Sequence, residues 1–328
     1  MKRTIRIAAV SSVLFLAIGA MSCSSLSSVA LSAVADSLSG TNKKGVPMKK
    51  RSEGSDPLAA ITGERDITLV SDFFPTALVL YELLHAQNPD HLGLSAMTGQ
   101  LNIMYANVFV QTPAERLPVD QFNAQQAEYE RAQLHYLRGR DYCLEFLEGR
   151  HTGIRAALFS GDDDTVQAAV ALLDENDVSA AYWAGAGWLG AFSLDPLNGD
   201  MMAVLNGPVQ LLERAAALSP DYDAGAIWEL LFNFYVSAPD MFGGDYDRGM
   251  TCYAEALRAS GGKTPGPYIT YATAICMPQN DSAGFEEMLN TALAINADDE
   301  PSSRLVTLIQ QERARYLLLH KDNYFVIW

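Results

Sequence analysis

The sequence predicts an all-α protein, built from degenerate tetratricopeptide-like helical repeats that form one α-solenoid-like domain. The main observation is that residues 208–259 reproduce the tetratricopeptide spacing of aromatic, small and proline residues. The same spacing returns elsewhere in the chain, with insertions between the copies. No alternating pattern of β-strand length accompanies it, so helices are expected throughout the body.

The clearest repeat consists of two predicted helices and the end of the helix before them. Small residues let two helices approach closely, and aromatic side chains fill the contact with the next pair. A proline ends a helix because it lacks the N–H needed to continue it. The matching residues are Trp228, Leu231, Phe232 and Tyr235, then Gly249, Tyr253 and Ala256, after a closing set of Leu212, Ala215, Leu218 and Pro220.

Further helices are predicted along the rest of the body by the same spacing and by capping residues. Carboxylates favour helix N-termini, so Asp162 to Asp164 indicate a helix start. The other predicted elements, in chain order, are a repeat end at Ala77, Tyr81, Leu84 and Pro89, a helix over 92–110, a repeat helix with Ala132, Tyr136 and Gly139, a further helix over 141–149, an apolar helix over 180–192, a repeat end at Phe285, Leu289 and Ala292, and a last helix over 302–320.

The N-terminus is predicted to be a lipoprotein signal peptide, residues 1–22. Three basic residues precede an apolar run over 7–20, which is too short for an ordinary membrane span. The small residues before Cys23 resemble a lipobox and predict that Cys23 is acylated, where several acyl chains would anchor the protein stably. The alternative is ordinary signal-peptidase cleavage after the A-x-A sequence at 33–35.

The segment 23–56 is predicted to be the lipidated N-terminus and a flexible tether, before a repeat domain over 57–328. This segment is rich in serine and contains a basic cluster, so it has little apolar surface to bury. A short apolar helix over 26–38 is the one expected element, packing back on the body. No other apolar run has the length of a bilayer span, so the body is expected to be soluble.

Composition disfavours two classes of partner. The 328-residue chain carries a formal net charge of −16, with 49% hydrophobic residues. Such an acidic chain repels nucleic-acid phosphates and anionic lipid headgroups. We therefore expect no nucleic-acid partner, and membrane attachment only through the lipid anchor.

Motifs for catalysis are missing from the sequence. It holds no Gly-rich phosphate loop, nucleophile elbow or H-E-x-x-H motif, so no enzyme activity, cofactor or metal is expected. Cys143, Cys252 and Cys276 form no C-x2-C pair, and their odd number leaves at least one free thiol. Two weaker alternatives are a metal site at His85 and His91 and a cation site at 162–164. A hydrolase is the remote alternative.

Aromatic residues in the middle of the body suggest a ligand site. Glycines at 185, 187 and 190 alternate with two tryptophans, although glycine inside a helix costs about 0.5–1 kcal/mol relative to alanine. Either close helix packing or space for a ligand would offset this cost, and the sequence leaves both open. The candidate ligand or channel residues are Trp183, Gly187, Trp188, Tyr235 and Tyr271.

Several short segments together carry a resemblance to one known family. They are Pro75-Thr76-Ala77-Leu78, Tyr81-Glu82-Leu83-Leu84, Leu211-Leu212-Glu213-Arg214-Ala215, Met241-Phe242-Gly243-Gly244-Asp245 and Ile309-Gln310-Gln311-Glu312-Arg313-Ala314. With them, residues 20–328 resemble the TatT family, the periplasmic T components of tripartite ATP-independent periplasmic (TRAP) transporters. The lipobox departs from the usual pattern, because Ala20 stands where leucine is usual.

The resemblance implies a periplasmic lipoprotein with cryptic tetratricopeptide repeats. It implies association with the substrate-binding P component and with other copies of the chain, as a homotrimer. It also implies an apolar channel suited to a hydrophobic small molecule. The alternative is a periplasmic protein–protein interaction scaffold without ligand transfer. The apolar C-terminal tail, 324–328, is expected either to fold back on its own body or to be buried in a neighbouring subunit.

Overall fold

A computed structural model describes residues 28–46 and 59–325 of the chain. Within these residues the protein is all-helical and has no β-strand, so the predicted all-α class is confirmed. The signal peptide 1–22, Cys23 and the last three residues of the tail lie outside the described residues. The principal helices are α1 (Ser28–Ser39), α2 (Ile67–Gln87), α3 (Leu92–Met104), α4 (Phe122–Arg150), α5 (Asp163–Val170), α6 (Val178–Leu194), α7 (Asn206–Leu218), α8 (Ala226–Ser237), α9 (Tyr246–Ser260), α10 (Gly266–Tyr271), α11 (Ser282–Ala294) and α12 (Arg304–Leu319).

Six of these helices follow one another in a closed ring. In order around the ring, α2 contacts α3, α3 contacts α6, α6 contacts α8, α8 contacts α10, and α10 contacts α12. The ring is completed because α12 returns to α2. The first and last helices of the body are therefore neighbours, which an open solenoid would not allow.

Four helices form a second layer outside the ring. Each bridges two successive ring helices: α4 contacts α3 and α6, α7 contacts α6 and α8, α9 contacts α8 and α10, and α11 contacts α10 and α12. This alternation explains why the predicted repeat helices carry small residues at their contacts. Ala215 on α7 and Ala256 on α9 are fully buried, and so is Ala292 on α11. Whether these pairs are tetratricopeptide repeats in the strict sense stays a prediction.

The predicted break between a repeat helix ending near Gly139 and a further helix over 141–149 is wrong. Residues Phe122–Arg150 form one continuous helix. Gly139 does not interrupt it because it lies against Gly99 of α3, where a methyl group would come within 2.6 Å of the Gly99 carbonyl oxygen. Glycine is used here for close approach of two helices rather than as a break.

Two ring helices continue as π-helical segments. After α3, the segment Tyr105–Gln111 ends where the N–H of Thr112 bonds to the carbonyl of Asn107, five residues earlier. After α10, the segment Ala272–Cys276 ends with the same i to i−5 bond. Each segment adds residues to a turn and so changes the direction of the side chains that follow. Such segments are frequent at functional positions.

The N-terminal helix α1 packs on the body. It contacts α3, and the Tyr81 hydroxyl of α2 donates a hydrogen bond to the Leu38 carbonyl at 3.0 Å. His91, which caps the start of α3, lies 2.9 Å from the carboxylate of Asp36. The apolar helix expected in this part of the predicted tether is therefore present and docked.

Helix starts are fixed by short polar side chains. The predicted cap at Asp162 is confirmed, because its carboxylate accepts the Thr165 N–H at 2.9 Å. Asp66, Asp245 and Asp281 cap α2, α9 and α11 in the same way. Each cap satisfies an N–H that the helix leaves without an internal partner.

The start of the C-terminal tail folds back on its own chain. Tyr324 and Phe325 pack against Phe285 of α11, with ring centroids 6.1 Å and 5.0 Å away. These contacts belong to a small core formed by α10, α11 and α12. Of the two fates predicted for the tail, folding back applies to its described part.

No second run of membrane-span length was expected in the body, but one described helix, α2, has the length and apolar composition of a span. It is 21 residues long, and its only charged residues are Asp72 and Glu82. This is weak evidence for a span, because Val70, Phe74 and Leu78 on one side of α2 are packed in the core of the ring.

Candidate functional site

Where α12 returns to α2, it also contacts residues 115–116, which follow the π-helical segment after α3. Arg313 of α12 forms an ion pair with Glu115 at 3.4 Å. Next to it, the Arg116 guanidinium lies 5.4 Å from the ring centroid of Tyr316. A polar network continues from Glu115 into the ring, because its carboxylate accepts the side-chain N–H of Gln111 at 3.0 Å.

Tyr136 of α4 connects this network to the π-helical segment. Its hydroxyl donates to Gln111 at 2.6 Å and accepts from the Asn107 side chain at 3.0 Å. Burial raises the pKa of the Tyr136 hydroxyl, so this group stays protonated and keeps its donor role. The π-helical turn thus places Asn107 and Gln111 on either side of one hydroxyl.

One polar group is formed by four side chains from successive ring helices. They are Tyr182 of α6, Glu229 of α8, Thr270 of α10 and Arg313 of α12. The Thr270 hydroxyl and the Arg313 guanidinium lower the pKa of Glu229, and the Glu229 charge in turn raises the pKa of Tyr182. Helices α9 and α11 pack outside the ring, so an interaction between Glu229 of α8 and Arg313 of α12 has to pass α10 on the other side. We take that side as the inner side of the ring.

Glu229 is the electrostatically unusual member of this group. Its pKa is raised to about 7, mainly by burial and also by the Asp223 carboxylate, against the lowering effects of Arg313 and the Thr270 hydroxyl. Gly266 at the start of α10 leaves room for the carboxylate, because a methyl group there would overlap its oxygens. The inner side of the ring thus holds a carboxyl group that titrates near neutral pH.

Sequence reasoning did not identify Glu229, Thr270 or Arg313 as site residues. Arg313 lies in one of the family-like segments, and Glu229 directly follows the repeat residue Trp228. A single charged residue on a repeat helix is usually solvated, however. Only the ring places these residues opposite one another.

Gly187 and Trp188 lie in packed parts of α6. A methyl group on Gly187 would come within 2.9 Å of Ile103 of α3 and of the Tyr136 carbonyl oxygen. Trp188 is fully buried, with its ring stacked on Phe159 at 4.3 Å. The guanidinium of Arg140 lies 5.2 Å from the Trp188 ring centroid. At both residues the described space is filled by neighbouring side chains.

Trp183 and Tyr271 are half-buried and lie in separate aromatic groups. The ring of Trp183 meets Tyr182 edge-on at 5.0 Å, and Tyr182 lies 5.3 Å from Tyr222. The ring of Tyr271 lies 5.0 Å from Tyr253 of α9. Trp183 is thus next to the inner polar group, whereas Tyr271 helps to join α8, α9 and α10.

Tyr235 lines a groove of about 930 Å³ on the outer side of the protein. Its hydroxyl donates to Glu213 at 2.5 Å, and Arg248 lies over its ring at 4.5 Å while pairing with the same carboxylate. The groove is bounded by α5, α7 and α8 and by the loop carrying the exposed Met241. Of the five predicted residues, Tyr235 alone lines this groove.

The cysteines and histidines take structural positions. Cys143, Cys252 and Cys276 are free and buried, and burial raises the pKa of each thiol, to about 11 for Cys252. His85 pairs with Glu145 at 3.4 Å. Within residues 28–46 and 59–325, no three His, Cys, Asp or Glu side chains group as a metal site.

Comparisons with known proteins identify the family of this chain. Residues 63–325 match the family described as TRAP transporter T-component, TAtT. The chain is also 42% identical over 272 residues to an uncharacterized protein of Treponema pallidum (strain Nichols), an alignment that spans 83% of this chain and 84% of that protein. The matched region includes every ring helix. The chain therefore belongs to the TRAP transporter T-component family.

Proposed function

We propose that this protein is a periplasmic accessory component of a TRAP transporter, which associates with the substrate-binding P component and holds a hydrophobic ligand on the inner side of its helical ring. The observation that carries this proposal is the closed ring of six helices. An open array offers a groove, whereas a ring offers an enclosed surface shielded from water.

Apolar side chains on the ring helices support a hydrophobic ligand. Burying an acyl chain gains about 0.8 kcal/mol per methylene, so an apolar surface holds such a ligand without a covalent bond. The polar group around Glu229 and Arg313 would then contact the polar end of the ligand. Half-buried apolar residues on the ring helices are Met104, Phe109, Trp183, Leu230 and Ile309.

Added bulk inside the ring tests the ligand proposal. Ala186 lies one turn after Tyr182 on the same face of α6, so Ala186→Trp adds an indole on the inner side. We expect the full chain to lose co-purifying lipid, measured by mass spectrometry of an organic extract. The matched control is Ala168→Trp on the exposed face of α5, which should retain the lipid.

Wild-type protein without lipid and without affinity for a TRAP solute-binding protein in a pull-down would refute the proposal. Lipid retained equally by both variants would refute the inner side as its location.

A protein–protein interaction scaffold is the second candidate, and the outer groove favours it. Met241 in the loop beside the groove is 81% exposed, so its side chain is accessible to a partner. Met241→Asp should weaken capture of the solute-binding protein if the groove is the docking surface. Loss of capture with lipid content unchanged would support docking without ligand transfer.

The anchor at Cys23 is proposed from the sequence, and with it attachment to a bacterial membrane from the periplasmic side. Full-length protein expressed with labelled palmitate should incorporate the label, and Cys23→Ala should not. Equal labelling of both, or a mature N-terminus at Asp36, would refute lipidation.

Self-association, as a homotrimer, completes the proposal, together with the expectation that the protein has no enzymatic activity and no cofactor. Sedimentation of the full chain at micromolar concentration should give a species of three chains. A single-chain species would refute this part alone.

A further inference from the structure

The outward face of α2 is the most apolar exposed helix surface in the described residues. Five large side chains on this face are between 48% and 57% exposed: Leu69, Phe73, Val79, Leu80 and Leu83. The opposite face is packed in the core through Val70, Phe74 and Leu78, and within residues 28–46 and 59–325 the outward face has no partner. Soluble monomers rarely leave such a continuous apolar surface in water.

The spacing on this face is that of a helix–helix contact. Leu69, Phe73, Thr76, Leu80 and Leu83 follow one another at intervals of four, three, four and three residues, as the a and d positions of a heptad do. We call these five residues the α2 seam. The seam holds no charged residue, so two copies can face each other without like-charge repulsion.

A membrane surface fits the α2 seam less well. Helices that lie on membranes carry Lys and Arg beside the apolar face, whose charged ends reach the headgroups. Residues Ile67–Gln87 contain no Lys or Arg, and their two charged residues, Asp72 and Glu82, are acidic. Both would be repelled by anionic lipid.

The exposed area is sufficient for a contact between copies. A residue of this size presents on the order of 200 Å² when free, so the five exposed large side chains present roughly 500 Å². Two copies would remove roughly 1,000 Å² from water before flanking residues are counted, which reaches the size of a specific interface. The tail, the other apolar candidate, already packs on Phe285 through Tyr324 and Phe325.

We propose that the α2 seam docks a second copy of this chain, with helix against helix. This inference rests on the self-association proposed above and names the surface that mediates it. In a trimer, three seams would meet around the symmetry axis.

A charge in the seam tests the proposal. In the full chain carrying Cys23→Ala, Leu80→Lys should raise the concentration of half-assembly about 30-fold or more, the effect of losing a central interface residue. Helix content should be unchanged because Leu80 is exposed. The control is Leu134→Lys on α4, which is 66% exposed and should assemble like the parent. Sedimentation velocity gives the half-assembly concentration.

Cross-linking gives a second readout. Because the three body cysteines are buried, Thr76→Cys places an accessible thiol in the seam and should form disulfide-linked pairs under mild oxidation. Gln167→Cys, exposed on α5, should not. Equal cross-linking of both variants would overturn the seam.

The outcomes separate the two proposals. A monomeric parent would overturn self-association and the seam together. An oligomer unchanged by Leu80→Lys would overturn the seam alone. If Leu80→Lys instead abolished flotation with neutral phosphatidylcholine vesicles and left the oligomer intact, the seam would be a membrane surface and the proposal would be wrong.

Discussion

Replacing Glu229 by glutamine should change how the stability of this protein depends on pH. The carboxyl group lies on the inner side of the ring, where burial raises its pKa from 4.5 to about 7. Glutamine has nearly the same shape, so Glu229→Gln removes the titration while keeping a partner for the Thr270 hydroxyl. The groups facing it are Thr270, Arg313, Asp223 and Tyr182.

The sign of the effect follows from the raised pKa. The folded state holds the Glu229 proton more tightly than the unfolded state does. The contribution of this group to the free energy of unfolding is therefore greatest below about pH 4.5, and it is lost as the pH rises to about 7. At about 1.36 kcal/mol per pH unit, the loss has an upper limit near 3 kcal/mol. Partial exposure of Glu229 screens its charge, so we expect about 2 kcal/mol.

Urea denaturation followed by circular dichroism measures this effect. At pH 8, Glu229→Gln should be more stable than the parent by about 2 kcal/mol, and at pH 4.5 the two should be nearly equal. Glu312→Gln, on the exposed side of α12, is the matched control and should track the parent at both values. A variant less stable than the parent at pH 8, or a difference independent of pH, would refute the reasoning.

Two further predictions concern packing. Asp177 is fully buried and accepts hydrogen bonds from Arg150 and His151. Asp177→Asn should cost about 3 kcal/mol of unfolding free energy, because removing the carboxylate leaves the positive charge of its partner buried. A loss below about 1 kcal/mol in urea denaturation would contradict this. Gly139→Ala should cost about 1–3 kcal/mol of unfolding free energy, because the added methyl group forces α4 away from Gly99. The control Gly199→Ala should be nearly neutral, because the space around Gly199 is open. Equal melting temperatures for the two variants would contradict the close contact at Gly139.

The helix pairs could be predicted because their contacts are local in sequence. Residues Ala226–Ser237 and Tyr246–Ser260 form the two helices expected from Trp228 to Tyr235 and from Gly249 to Ala256. The spacing of apolar and small residues at three and four positions along a helix shows which face of that helix packs on a neighbouring helix.

The closing contacts of the ring could not be predicted in this way. Glu115 and Arg313 are 198 residues apart, and a single ion pair leaves no periodic signal. The π-helical segments Tyr105–Gln111 and Ala272–Cys276 likewise have no signature in their residue types. The inner group around Glu229 includes Arg313, so it too emerges only from the three-dimensional arrangement.

The predicted ligand residues illustrate a different limit. The glycine pattern of α6 left two explanations open, and at Gly187 the neighbouring Ile103 and Tyr136 occupy the space that a side chain would need. The sequence shows that the residue at such a position must be small. It does not show which residue, from a distant part of the chain, occupies the space that a larger side chain would need.

Closure of the ring also bears on how the protein unfolds. In an open repeat array, terminal helices fray one at a time, because each repeat contacts only its neighbours. Here α2 and α12 each cover the other, so release of either exposes both ends. We therefore expect amide hydrogens in α2 and α12 to exchange at similar rates, through one cooperative opening. Joining the two ends closes a long loop, which makes late, slow formation of this contact the natural last step of folding.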